Sequence, residues 1–138
     1  MRPQPYAVVA GRILLSLIFL VSGVGKLADP SGTIQSIAAA GLPLPAAAYA
    51  VAVLCELGGG LAVLVGYHAR LAAAIMAAFT IAAALMFHND LADPDQMVHF
   101  LKNLAIAGGF LCIVAFGAGA LSLDELSLER RARRAVAR

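Results

Sequence analysis

Four long apolar runs dominate the chain, at about residues 6–24, 46–65, 71–87 and 104–121. Each run is roughly 17–20 residues long, which is enough for an α-helix to cross a hydrocarbon layer of about 30 Å. None of them alternates apolar and polar positions with a period of two, as the strands of a transmembrane β-barrel do. The pattern predicts an all-α polytopic membrane protein, a bundle of four transmembrane helices.

Two Asp-Pro pairs predict helix starts between these runs. Asp29-Pro30 supplies an N-cap and a first helical residue, and Ile34 and Ile37 follow at helical spacing. We therefore expect a short helix on the outer membrane surface, ended by the segment Gly41-Leu-Pro-Leu-Pro45. Asp93-Pro94 has the same N-cap and first-turn proline, and the helix that starts there is expected to run directly into the fourth span.

The composition agrees with a membrane protein. Of the 138 residues, 62% are hydrophobic and 13% are charged, whereas soluble domains carry about 25% charge. The length suits one membrane domain over residues 1–138, with residues 122–138 as a basic cytoplasmic tail. The net charge is only +2, without a basic face interleaved with aromatics, which argues against nucleic acid as a partner and leaves the lipid bilayer.

The distribution of Lys and Arg predicts the orientation. With four spans, the termini and the turn at residues 66–70 share one side, which holds Arg2, Arg70 and the arginines at 130–138, whereas Lys26 and Lys102 lie on the other side. Basic residues accumulate in cytoplasmic loops. We therefore expect a multi-pass protein of the cell (inner) membrane with both termini in the cytoplasm.

Glu56 is the residue that most needs an explanation, because it lies near the middle of the second span. A charge there costs about 2.5–3.5 kcal/mol on insertion scales, so it must face the bundle, take a partner or be protonated. Arg12, about two turns into the first span, is the predicted partner. The pair either joins the two spans without chemistry or forms a proton-accepting catalytic site; alternatively, Arg12 reaches the surface and Glu56 is neutral.

A second polar group is predicted at the outer end of the bundle. Its members are Lys26, His88, His99, Lys102 and Asn103. Such a group suits the carbonyl oxygens of a quinone head group, an anion or lipid phosphates, although each residue alone also fits an ordinary interface anchor. The spacing of the histidines gives no metal signal, and no haem, flavin or nucleotide motif is present.

The two cysteines, Cys55 and Cys112, lie inside apolar runs at similar predicted depth. They form neither a Cys-x-x-Cys motif nor a Cys/His pattern of a zinc site. Both a redox pair and a role as small packing residues are compatible with the sequence.

Several short segments form a combination that is more specific than any of its pieces. They are Arg12-Ile-Leu-Leu-Ser-Leu-Ile-Phe-Leu-Val-Ser-Gly-Val-Gly-Lys26, Gly41-Leu-Pro, Glu56-Leu-Gly-Gly-Gly-Leu, Gly66-Tyr-His-Ala-Arg70, Phe87-His88, Lys102-Asn-Leu-Ala-Ile-Ala-Gly-Gly109 and Gly117-Ala-Gly-Ala-Leu-Ser-Leu-Asp124. Together they resemble the DoxX family of small four-helix membrane proteins. The resemblance implies that Arg12, Glu56 and Asn103 occupy characteristic positions, and it suggests an association with quinone-linked respiratory oxidoreductases.

These observations leave more than one function open. The first is a quinone-interacting subunit that works with a soluble redox partner, with the head group between the first, second and fourth spans near Glu56 and a prenyl tail along Phe19, Leu57 and Ile106. The second is a non-catalytic membrane scaffold that recruits or stabilises partner proteins. The third is a small carrier or proton conduit, which four short helices favour only if the protein forms a homo-oligomer.

The basic asymmetry generates a prediction about topology. A reporter fused after Arg138 should be active only as a cytoplasmic reporter, and one inserted near Asp93 only as an external reporter, because basic ends resist translocation. The measurement is the activity of paired cytoplasmic and periplasmic reporters at the two positions. The opposite pattern would reverse the side to which every polar group is assigned.

Overall fold

The computed structural model describes residues 4–137, which form six helices and, within that range, no strand. Four of them are long and apolar enough to span a membrane. The helices are α1 (Pro5–Ala28), α2 (Pro30–Ala39), α3 (Pro45–Val65), α4 (Ala69–Phe87), α5 (Pro94–Phe116) and α6 (Leu123–Val136), with α1, α3, α4 and α5 as the spans. The predicted all-α, four-span architecture is confirmed. Arg2 and Arg138, which enter the orientation prediction, lie outside the described residues.

Proline and a capping side chain set the starts of several helices. A proline opens α1, α2, α3 and α5, where its fixed φ suits a helix and its missing N–H is not needed. The Asp29 carboxylate accepts a hydrogen bond from Gly32 N at 2.9 Å, and Asp93 accepts one from Asp95 N at 2.8 Å. The predicted surface helix and the predicted continuation into the fourth span are therefore present.

The core lies in the half of the bundle nearer the termini. Its largest fully buried side chains are Phe110, Met76 and Val63, surrounded by alanines of α4. The ring of Phe19 lies 5.5 Å from that of Phe110 and joins α1 to α5. Small residues allow these close approaches, since a Cβ at Gly59 would collide with the Met76 side chain.

α3 changes its winding at its middle. Residues Pro45–Val53 and Gly60–Val65 are α-helical, whereas Leu54–Gly59 form a π-helical turn that contains Glu56. Such turns are rare and frequently occur at functional sites. The wider turn interrupts the regular spacing of side chains where α3 carries its only acidic residue.

The fourth span ends earlier than its apolar pattern indicates. α5 stops at Phe116 rather than near residue 121, because Gly117 and Gly119 adopt positive φ angles of 82° and 78°. The chain then folds back across the end of the bundle. Asp124 accepts hydrogen bonds from His68 N at 2.8 Å and Ala69 N at 2.9 Å, and so caps the start of α4.

This junction generates a prediction about Gly66. Gly66 has a φ of 70°, and a Cβ there would lie 2.5 Å from Arg12 Nη1 and from Ser122 Cβ. We expect Gly66→Ala to lower the free energy of unfolding by more than the ~1–2 kcal/mol that a left-handed conformation costs a non-glycine residue. The measurement is the loss of helical circular dichroism as SDS is added to the detergent-solubilised protein.

Two further glycine variants separate backbone strain from steric overlap as causes of the loss in stability. Gly41 also has a positive φ, 77°, but open space around it, so Gly41→Ala should show the strain alone. Gly108 is helical, and no atom lies within 4 Å of the position that a Cβ would take there, so Gly108→Ala should be neutral or stabilising. Equal losses for Gly66→Ala and Gly41→Ala would contradict the steric part of the explanation.

Candidate functional site

Glu56 is buried at the π-helical turn of α3 and is bound by two side chains of α1. Its Oε1 lies 2.9 Å from Lys26 Nζ, which donates to it in an ion pair, and 3.2 Å from Ser22 Oγ. Lys26 Nζ also donates to Ser22 Oγ at 2.8 Å. The three side chains therefore form a closed network in which Lys26 is the cation that balances the charge of Glu56.

The sequence of α1 explains why this network forms. Ser22 and Lys26 are four residues apart, so they lie on one face of the helix. Gly23 lies between them at the contact with α3, where a Cβ would be 2.7 Å from Leu57 and 3.3 Å from Glu56 Cβ. The absence of a side chain at residue 23 lets the two helices approach closely enough for the short Ser22 side chain to reach the carboxylate.

The second carboxylate oxygen of Glu56 is in a different situation. Oε2 is buried and has no hydrogen-bond partner among residues 4–137. Buried carboxylate oxygens are normally bonded, because leaving one without a partner costs about 1–3 kcal/mol or more for a charged group. Glu56 therefore keeps a free acceptor, or a place for a proton, beside its ion pair with Lys26.

The predicted pair between Arg12 and Glu56 is wrong. Arg12 is buried, but it donates from Nη1 to Ala118 O and from Nη2 to Leu121 O, each at 2.8 Å. α1 extends past the end of α3, so that the Arg12 guanidinium lies beside Gly66, whereas Glu56 lies beside Gly23. From Arg12 to Gly23, α1 advances by eleven residues, or roughly 16 Å along the helix axis. That distance is too long for the Arg12 side chain to reach Glu56.

Arg12 has a structural task at the other end of the bundle. The residues after α5 leave the helix at Gly117, and their carbonyl groups point at the guanidinium. Buried backbone carbonyl groups outside a helix need donors from elsewhere. Arg12 thereby ties α1 to the segment that follows the fourth span, so its assignment as a catalytic residue rests on the sequence alone.

The end of the bundle away from the termini, which the sequence predicts to be the outer end, contains a cavity of about 510 Å³ next to the ion pair. It lies between the end of α1, the surface helix α2 and the end of α4, and its polar lining residues are Lys26, Asp29, Thr33, Ser36 and His88. Lys26 therefore belongs both to the wall of this cavity, hereafter the outer cavity, and to the pair with the buried Glu56. A ligand in the outer cavity would meet the donor that balances that charge.

The other predicted outer residues are brought together only in part. His88 is half-buried in the cavity wall, its Nδ1 lies 3.0 Å from Gln96 Oε1, and its ring stacks on that of His99 at 5.0 Å. Lys102 is exposed and Asn103 is half-buried on α5. Neither is among the side chains that bond to Glu56 in the described part of the chain.

Sequence reasoning missed two residues of this region. Ser22 was detectable, because it lies one helical turn before Lys26 within a polar and glycine-rich stretch at the end of the first span. Tyr49 Oη donates to the Lys26 carbonyl oxygen at 3.2 Å and fastens α3 to the end of α1. No local pattern reveals Tyr49, since its partner is 23 residues away and on another helix.

The two cysteines are free and lie on different helices. Cys55 is half-buried beside Glu56, and Cys112 is exposed on α5. Within residues 4–137, no group of three or more His, Cys, Asp and Glu side chains comes close enough to hold a metal ion.

Comparisons with known proteins identify relatives over most of the chain. A family model described as DoxX matches residues 7–89, which include all but the first two residues of α1 and the whole of α2, α3 and α4. The chain is 40% identical over 126 residues to the inner membrane protein YqjF of Escherichia coli (strain K12), covering 89% of this chain and 93% of that protein. It is 33% identical over 127 residues to the inner membrane protein YphA of the same strain, covering 88% and 90%. No solved structure matches the chain significantly.

The ion pair generates a prediction about stability. Lys26→Met should lower the free energy of unfolding by about 3 kcal/mol, because it leaves the carboxylate of Glu56 buried without a cation. The double variant Lys26→Met, Glu56→Gln should recover most of that loss, since a neutral amide needs no counter-charge. The measurement is a double-mutant cycle in SDS titration of the solubilised protein.

Lys102→Met is the matched control for this cycle. Lys102 is exposed on α5, so its replacement should change stability by less than about 0.5 kcal/mol. Losses at Lys26 and Glu56 that simply add in the double variant would show that the two side chains are not energetically coupled.

Proposed function

The chain belongs to the DoxX family of membrane proteins, and from this premise we propose that it binds a quinone head group in the outer cavity beside Lys26 and Glu56. Its relatives YqjF and YphA are named as inner membrane proteins, and we place this chain in the same membrane. In this proposal it serves a membrane redox reaction as a subunit, with a partner protein exchanging the electrons. The absence of haem, flavin and nucleotide motifs from the sequence supports the assignment of the electrons to a partner.

One observation carries the proposal: Lys26 joins the outer cavity to the buried carboxylate. The cavity volume of about 510 Å³ falls within the range of small-molecule sites. A quinone presents two carbonyl oxygens that accept hydrogen bonds, and the Lys26 amine in the cavity wall is able to donate to one of them. The lining combines five polar residues with the apolar side chains of Ile37 and Phe87, which suit the ring.

The chemistry of the residues fits a reaction that exchanges protons. Reduction of a quinone to a quinol takes two electrons and two protons. Glu56 has a carboxylate oxygen without a partner and is bonded to Lys26, so a proton is able to reside on the pair in more than one place. When Lys26 turns toward a ligand, Glu56 is left without its cation. Protonation of Glu56 then avoids an isolated charge in hydrocarbon.

The position of the site differs from the one expected from the sequence. Phe19 packs against Phe110 in the core, so it is not available for a prenyl tail. The outer cavity is bounded by α1, α2 and α4 instead of the first, second and fourth spans. Phe87 and Ile37, which line the outer cavity, are the apolar contacts that we now assign to the quinone ring.

Ligand binding is tested by thermal stability. A short-tailed quinone titrated into the solubilised protein should raise the stability by about 2.7 kcal/mol at ~100 times its dissociation constant, because it binds only the folded state. The double variant Lys26→Met, Glu56→Gln should lose the shift, while Cys55→Ala and Lys102→Met should keep it. No shift in wild type at saturating concentration, or an equal shift in the double variant, would reject the site.

A further inference from the structure

The end of the bundle that carries the termini holds two cavities that share a wall. The first, of about 610 Å³, lies between the start of α4, the turn after α5 and the tail helix α6, and we call it the head-group pocket. The second, of about 390 Å³, is an apolar groove between α3 and α4. His68 and Leu71 line both, so the two form one continuous surface from the membrane boundary into the apolar layer.

The groove has the shape and chemistry of an acyl-chain site. It follows α3 from Leu54 to Ala62, roughly 12 Å of helix rise, which is less than half of a ~30 Å hydrocarbon layer. Gly58 and Gly59 form part of its floor, and Leu54 and Leu71 stand at its edges, 73% and 63% exposed. Residues with this exposure in a span face lipid, so a lipid chain from one leaflet is the natural occupant.

The head-group pocket and the tail helix beside it together carry a net positive charge. Arg70 and Arg131 line it, together with Asp124 and Glu125. The Asp124 carboxylate is already satisfied by the backbone N–H groups of His68 and Ala69 at the start of α4. Counted together, the lining and α6 hold five arginines (Arg70, Arg130, Arg131, Arg133 and Arg134) against three carboxylates (Asp124, Glu125 and Glu129).

The position of Arg70 fits contact with a phosphate. Its Nη1 donates to Val114 O at 3.0 Å, and its guanidinium lies 3.6 Å from where a Cβ of Gly117 would be. The side chain is thus held at the rim of the head-group pocket while most of its donors are not used by that bond. A planar guanidinium with free donors is well suited to phosphate oxygens.

We propose that this continuous surface binds one phospholipid with a net negative head group, its phosphate between Arg70 and Arg131 and one acyl chain in the groove between α3 and α4. The site is at the opposite end of the bundle from Lys26 and Glu56 and does not depend on the proposed quinone function. It would fasten α6, which has no buried residue of its own, to the membrane surface at the end of the spans.

Competition between two lipids tests the proposal. The full chain is incubated with equimolar phosphatidylglycerol and phosphatidylethanolamine of identical acyl chains, and native mass spectrometry counts the lipid retained per chain. We expect one phosphatidylglycerol to be retained in preference. Arg131→Gln should reduce the preference about fivefold, the equivalent of ~1 kcal/mol for one arginine near an anionic surface, and the preference should fall as salt rises.

Matched variants make the test specific to this site. Arg134→Gln removes the same charge from α6 outside the head-group pocket and should reduce the preference by much less than Arg131→Gln does. Gly58→Phe should fill the groove and lower retention, whereas Gly108→Phe on α5 should not. Equal retention of the two lipids by wild type would overturn the proposal. Equal losses of preference for Arg131→Gln and Arg134→Gln would overturn it too, because they would show that α6 attracts anionic lipid through its overall charge and not through the head-group pocket.

Discussion

A charge in hydrocarbon is tolerated only when other polar groups surround it, and this constraint positions the helices of the bundle. Glu56 is held by Lys26 and Ser22, which joins α3 to α1. Arg12 is held by the carbonyl groups of Ala118 and Leu121, which joins α1 to the segment after α5. Apolar side chains pack about as favourably against lipid as against another helix, so apolar packing alone does not select which helices contact each other or at which height. Each polar contact therefore fixes both the neighbouring segment and the relative height of the two segments.

The two contacts have different consequences because they lie in different parts of the molecule. Arg12 is next to the packed core around Phe110 and Met76, where its bonds complete a rigid end. Glu56 lies outward of that core, at a π-helical turn and beside a cavity. The cavity beside Lys26 leaves room for a ligand and for movement of the lysine side chain, which a binding or proton-transfer site requires and a structural contact does not.

Both ends of the bundle are thus polar, but they suit different ligands. The outer cavity presents the Lys26 amine, which also pairs with the buried Glu56, and in our proposal it takes a neutral ligand with acceptor oxygens. The end with the termini combines guanidinium groups with an apolar groove, which favours an anion attached to a hydrocarbon chain. Both proposals name a lipid-soluble ligand, which would reach its site from within the membrane, and the four spans are mostly unburied within the bundle.

Much of the fold followed from the sequence, because the number of spans, the surface helix after Asp29 and the helix start at Pro94 depend on local hydrophobicity, capping and proline geometry. The sequence also predicted that Glu56 faces the bundle and takes a partner, which its burial and its ion pair confirm. The identity of that partner was not predicted correctly. Which side chain pairs with Glu56 depends on how far each helix extends past its neighbour. Gly66 packs against Arg12 and Gly23 packs against Leu57, so α1 extends past the end of α3. That offset is a property of packed surfaces, which residue counts along separate spans do not contain, so only the tertiary structure decided that Lys26 rather than Arg12 balances the buried carboxylate.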